Sequence, residues 1–330
     1  MSEQLNDKLE LNSVSSNSIF GKQIDRSTRI KEEAIRLFFL LCGMTALVAI
    51  VLIFVFLFKE GIKAVFAINV FDFVSTEVLR SNGVKEIAYE WYPTSEQERY
   101  SLIPLILGTL VTAIPAVIIS TILGVSTGIY LSEIADRRIR EFLKPAIELV
   151  ASIPTVVLGF FMLVVVASLV DGVFHPINRL NALVAALGLS IVIIPVIASL
   201  TEDALRSIPN DLRMASYGLG ATKWQTIARV IVPAAFSGVS ASILLGFGRA
   251  IGETMIVLMA AGNASNVTID VFRSVRTMTA TIAAEMGEVS RGSNHYYALF
   301  FIGLVLFIIT FFLNLIAEII VNRMRKKNTF

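Results

Sequence analysis

Apolar residues in this chain gather into long runs separated by shorter polar stretches. The first uninterrupted run, residues 37–58 (LFFLLCGMTALVAIVLIFVFLF), contains no charged residue. It exceeds the ~20 residues that a helix needs to cross a bilayer. Five comparable runs follow, at about 102–131, 146–170, 182–200, 234–261 and 296–321. A secretory leader does not repeat in this way. The pattern predicts an all-α, polytopic membrane bundle of six transmembrane helices.

These runs divide the chain into a polar tail (1–36), a first transmembrane helix (37–58), an extracytoplasmic loop (59–101), a membrane domain (102–321) and a basic tail (322–330). Lysine and arginine in the connections set the orientation, because cytoplasmic loops retain an excess of them. With both termini placed inside, 18 of these residues fall on the cytoplasmic side and nine outside. The clearest groups are Arg137, Arg138, Arg140 and Lys144 after the second run, and Arg323, Arg325, Lys326 and Lys327 after the sixth. The first 30 or so residues, rich in Asn and Ser, read as a loose tail. The loop 59–101, with its aromatics Trp91 and Tyr92, is long enough for some structure over the outer face.

Composition agrees and removes several classes of function. Hydrophobic residues make up 55% and charged ones 16%, against ~45–50% and ~25% in soluble domains. A net charge of +2 gives no nucleic-acid footprint. The single cysteine, Cys42, allows neither an internal disulfide nor a cysteine metal site. His175 and His295 have no second ligand at metal-binding spacing. No G-x-x-x-x-G-K-[ST], G-x-S-x-G or H-E-x-x-H occurs, so the chain holds neither a P-loop nor these catalytic motifs. No catalytic residue, metal or bound cofactor is expected, and any ATP–Mg would belong to another chain.

Two segments carry more than packing. Residues 201–233 (TEDALRSIPNDLRMASYGLGATKWQTIARVIVP) are far more organised than a link between spans requires. Asn210 can cap a helix running to Tyr217, Gly218-Leu219-Gly220 ends it, and Thr222 with Gln225 forms a capping box that opens a second helix up to Pro233. A helix–tight turn–helix knob is predicted on the cytoplasmic side. In the fifth run, FGRAIGETMIVLMAAG (247–262) sets Arg249 and Glu253 four apart, on one face of a helix and paired with each other. Either charge would cost ~2.5–3.5 kcal/mol in lipid, so both should face the bundle interior or water. One reading is an ion pair that fixes packing. The other makes Arg249 part of an anion path, since a guanidinium matches oxyanion geometry; Glu253 would hold it when no anion is present.

At these residues the sequence resembles a known family. ASYGLGATKWQTIARVIVP is similar to the coupling (EAA) loop of ABC importer permeases, with Gly220 as the loop glycine, Val232-Pro233 as the ending and Ala215 and Ser216 in the small-residue slots. Met214 stands where the family usually has glutamate. GRAIGETM, PLILGTLVTAIPAVI, ELVASIPTVVLGF, IVIIPVIASLTEDAL and TATIAAEMGEV resemble the phosphate branch, the PstC and PstA permeases, and lean towards PstC. The resemblance covers residues 100–320 and implies a type I (MetI-like) importer fold in a bacterial cell membrane. It also implies a heterodimer with a second, PstA-like permease, two copies of a PstB-like cytoplasmic ATPase and a PstS-like extracytoplasmic phosphate-binding protein. The family's phosphate-path residues fall on Arg249 and Glu253. Its ATPase coupling loop falls on Ala215, Ser216, Gly218, Gly220, Thr222 and Pro233. Glu285 and Glu288 match family positions in the last outer loop, where docking or loop structure suits carboxylates better than an anion path does. Another oxyanion, such as molybdate or sulfate, would be served by the same arginine. An inert membrane anchor would have no use for either segment.

Overall fold

The computed structural model describes residues 26–79 and 85–328; the first 25 residues of the expected tail lie outside that range. Helix α1, Arg26–Ala67, is longer than the predicted span because its polar flanks continue the helix. Its residues up to Phe56 form one unit, exposed along its described length, and Leu57 onward forms a second.

In the second unit, two small antiparallel hairpins follow α1. Thr76–Leu79 (β1) pairs with Lys85–Ala88 (β2), and Trp91–Tyr92 (β3) with Arg99–Tyr100 (β4). They lie in the segment 59–101, whose residues up to Ala67 continue α1 instead of forming loop. Helix α2, Ile103–Ile129, starts with Pro104 in its first turn, where the missing N–H costs nothing. It ends in a π turn, Tyr130–Ile134.

Arg137–Ser152 (α3) is a separate amphipathic helix, which corrects the start of the predicted 146–170 span. Its Lys144 and Arg140 reach Glu202, Lys144 also Asp203, and Ile153-Pro154 breaks the backbone because proline disfavours helical geometry in the residue before it. The span proper runs from Thr155 to Phe174 as α4 (Thr155–Phe161), a π turn (Met162–Val166) and α5 (Ala167–Phe174). Glu148 therefore lies on the amphipathic helix. Helix α6, Ala182–Arg206, is capped by Asn181, whose side chain accepts the Val184 N–H at 3.0 Å.

The knob follows as α7 (Asn210–Gly218) and α8 (Lys223–Thr226), then a π turn (Ile227–Ile231) and α9 (Val232–Ala234). The chain bends by 69° at Ala235 into α10 (Phe236–Gly252). A break at Glu253-Thr254 precedes α11, Met255–Ala260. The fifth span is thus discontinuous where one helix was expected. A long return segment leads to α12 (Met278–Glu285) and the last helix, α13 (Asn294–Asn328). Among the described residues, five helical stretches are long and apolar enough to cross a membrane, and six if the bent pair counts as one.

The main core joins α2, α4, α6, α10 and α11 around Leu189, Ile193, Ile197, Ile251 and Ile256. The α2–α6 contact is especially close. A Cβ at Gly128 would sit 2.7 Å from the Thr201 side chain, so the two backbones meet as small residues allow between membrane helices. A second core at the hairpin end holds Phe73, Trp91, Tyr100, Leu105 and Met278, and a small third one at the knob end holds Leu205, Ile231 and Ala235.

Candidate functional site: a broken helix and a projecting knob

Arg249 lies in the last turn of α10 and is exposed in this chain. It shares a face with Ala241, Leu245 and Gly252, all exposed, while Ala250 and Ile251 point into the core. The expected pairing with Glu253 is not formed. Glu253 has extended backbone angles (φ −70°, ψ 135°), and its carboxylate accepts the Met255 N–H at 3.2 Å. The break explains this, because it frees N–H groups at the start of α11 that need acceptors. The Glu253 carbonyl accepts the Thr279 hydroxyl at 2.8 Å, so α12 secures the break from the far side. Among the described residues, Arg249 has no hydrogen bond or ion pair.

The return segment is bolted in place around this break. Ala182 and Leu183 donate their N–H groups to the carbonyls of Arg273 and Val271, and the Met278 N–H reaches the Thr109 hydroxyl at 3.1 Å. Gly108 permits the approach, since a Cβ there would lie 2.2 Å from the Arg276 carbonyl oxygen. At the hairpin end, Glu285 accepts from Arg276 (2.7 Å), His295 (2.8 Å) and the Trp91 indole (3.0 Å). Burial pushes the Glu285 carboxyl up, but the His295 hydrogen bond, the Arg276 charge and the Trp91 donor outweigh it and hold the group below its ordinary value. These residues, with Tyr92, Glu288 and Ser293, line a cavity of about 450 Å³. The sequence reading placed Glu285 in a loop but missed its partners, because Trp91 is 194 positions away and no spacing rule reaches that far.

The knob follows the sequence with one correction. Asn210 is the first residue of α7 rather than its cap, and its side chain accepts from Arg213. Gly220 has φ +81°, the left-handed angle that glycine adopts without strain. The capping box is present: the Thr222 hydroxyl accepts the Gln225 N–H, and the Gln225 side chain accepts the Thr222 N–H. Ser216, buried, bonds Thr226 at 2.8 Å and fastens α7 to α8. Ala215 and Gly218 are exposed on α7, and Pro233 is exposed in the first turn of α9. Leu219 (89% exposed) and Trp224 (67%) stand out from the tip, and Met214 on α7 is exposed as well.

Sequence reasoning missed two ionic groups at this end. Glu202, fully buried, lies 3.1 Å from Lys144 and 3.3 Å from Arg206. Arg213 meets Glu133 at 2.7 Å.

The family model for the binding-protein-dependent transport system inner membrane component matches residues 121–326. The chain belongs to this family. The Bacillus subtilis protein named "Probable ABC transporter permease protein YqgH" is 32% identical over 94% of this chain and 96% of its own length. Phosphate transport system permease protein PstC of Mesorhizobium japonicum is 34% identical over 76% of this chain and 81% of its own. PstC of Haemophilus influenzae is 32% identical over 82% and 94%. Among solved structures, an inward-facing MetNI methionine ABC transporter chain superimposes with a TM-score of 0.56 at 19% identity, covering 68% of this chain and 95% of that one. A bacterial alginate ABC transporter chain gives 0.58 at 15% identity, covering 89% and 99%. The fold is that of an ABC importer permease, and the chain is a multi-pass permease subunit.

Proposed function

We propose that this subunit forms half of a path for inorganic phosphate, with the hairpin end outside the cell and the knob inside. Three relatives named as phosphate permeases, at 30–34% identity, support the substrate. The observation that carries the reading is Arg249, an exposed guanidinium without a partner among the described residues, at the mouth of a broken membrane helix. Left against hydrocarbon it would cost ~2.5–3.5 kcal/mol. Discontinuous helices at membrane depth occur where they line a cavity rather than lipid. A second permease closing over the stripe Ala241–Leu245–Arg249–Gly252 would turn this face into the wall of a shared channel. There the permanent positive charge attracts an oxyanion, and the absence of a complete cage lets it leave.

The knob supplies the drive. Its exposed apolar tip is a docking surface for a soluble partner, here an ATPase dimer, since this chain has no P-loop. Phosphate reaches the hairpin end from a binding protein. Reconstitution with the ATPase and a second permease tests the path: Arg249→Gln should assemble normally and import phosphate at less than about one tenth of the parental rate, equivalent to ~1.4 kcal/mol on the barrier. Parental-rate import by that variant would remove the arginine from the mechanism. Sulfate or molybdate import by the parent in preference to phosphate would reassign the substrate.

A further inference from the structure

Arg213 sits on α7, one residue before Met214, with its guanidinium turned away from the exposed tip and 15% exposed. Its N–H groups are used on three elements. Nη2 donates to Glu133 Oε1 (2.7 Å) and to the Leu205 carbonyl (2.9 Å). Nη1 donates to the Ile208 carbonyl (2.7 Å) and Asn210 Oδ1 (3.3 Å), and Nε to Glu133 Oε2 (3.3 Å). Glu133 is 9% exposed, sits in the π turn that ends α2, and is steadied by the Ser132 hydroxyl at 3.1 Å. Leu205 lies in the last turn of α6, where its carbonyl also accepts the Ile208 N–H at 3.3 Å, and Ile208 lies just beyond the helix end. One side chain thus ties the knob to α2 and α6 together, the helices whose backbones meet at Gly128 and Thr201.

A movement of the knob has two ways into the membrane. One is covalent, through the π turn Ile227–Ile231 and the 69° bend at Ala235 into α10. Both features interrupt the helical rod, so displacement is absorbed there. The other is the part-buried, two-pronged Arg213–Glu133 bond, directional and with its shorter prong at 2.7 Å. We infer that Arg213 and Glu133 form the joint that transmits knob displacement to the α2–α6 pair, with Arg213 acting as a positioning residue. Lysine cannot replace it, since an ammonium has three donors and no planar fork. This inference rests on the proposed coupling of the knob to an ATPase.

The test uses the assembled transporter in lipid, carrying Cys42→Ser and a Gly252→Cys reporter beside Arg249, a position with open space around it. Thiol labelling of the reporter is compared with and without ATP and vanadate. In Arg213→Lys and in Glu133→Gln, the ATPase should co-purify and basal hydrolysis should persist, while the nucleotide-driven change in labelling rate falls about tenfold, the scale of a typical coupling free energy. The more conservative Glu133→Asp, which retains the charge, should restore part of it. An unchanged nucleotide response in both variants would overturn the inference, and so would loss of the ATPase from the complex, which would make the bond merely structural. A parental reporter that does not respond to nucleotide would instead sink the coupling reading beneath it, whichever anion is carried.

Discussion

Glu285 collects donors from a strand, a loop and the last helix, so its protonation state is tied to the integrity of the hairpin end. Its carboxyl is held below the ordinary value of 4.5, so the folded state binds this proton less readily than the unfolded chain does. The stabilisation is therefore complete above that ordinary value and is lost as pH falls through the lower, folded-state value. Thermal midpoints of purified transporter should show this loss below about pH 4.5 in the parent. In Glu285→Gln that acid-dependent part should vanish, with neutral-pH stability lower by about 2 kcal/mol, because the part-buried Arg276 loses its charged acceptor. Equal acid sensitivity in both proteins would show that the carboxylate contributes nothing. Glu253 shows the limit of residue-level reading. Spacing put it one turn from Arg249, whereas the broken backbone turned it to the Met255 N–H.

Elements with local signals were legible in advance. Thr222 and Gln225 are three apart and need nothing from the rest of the chain to form their capping box, and the turn at Gly220 is set by the backbone freedom of one residue. A Cβ at Gly220 would touch nothing within 4 Å, so Gly220→Ala isolates conformational strain, about 1–2 kcal/mol. Hydrogen exchange of the amides of residues 216–226 should accelerate in that variant and ATPase co-purification should weaken; unchanged protection would mean that the turn tolerates another geometry. The amphipathic α3 and the kinked spans were less legible. A hydropathy window averages over Ile153-Pro154 and Glu253-Thr254, so it merges a surface helix with a span and two half-helices into one. Neither break changes the mean apolarity that such a window reads.

For the whole molecule, the open stripe on α10 is the feature that one chain leaves unfinished. In the proposed heterodimer a Leu245→Cys reporter, in a Cys42→Ser background, should react with a thiol reagent in the isolated subunit and be protected in the assembled transporter. Equal labelling in both would place the partner elsewhere. The sequence by itself determined the class of molecule: runs of apolar residues long enough to cross a bilayer cannot be left in water, and the capped turn between two of them folds on local rules. It also marked Arg249, because a charge inside such a run is costly wherever it lies. Only the tertiary structure decided what that charge meets. The break at Glu253, the bond from Arg213 to Glu133 across 80 positions, and the Trp91–Glu285 contact all depend on which backbones approach closely. That approach is set by the packing of glycines such as Gly108 and Gly128 against particular neighbours, and no local pattern along the chain encodes the neighbour.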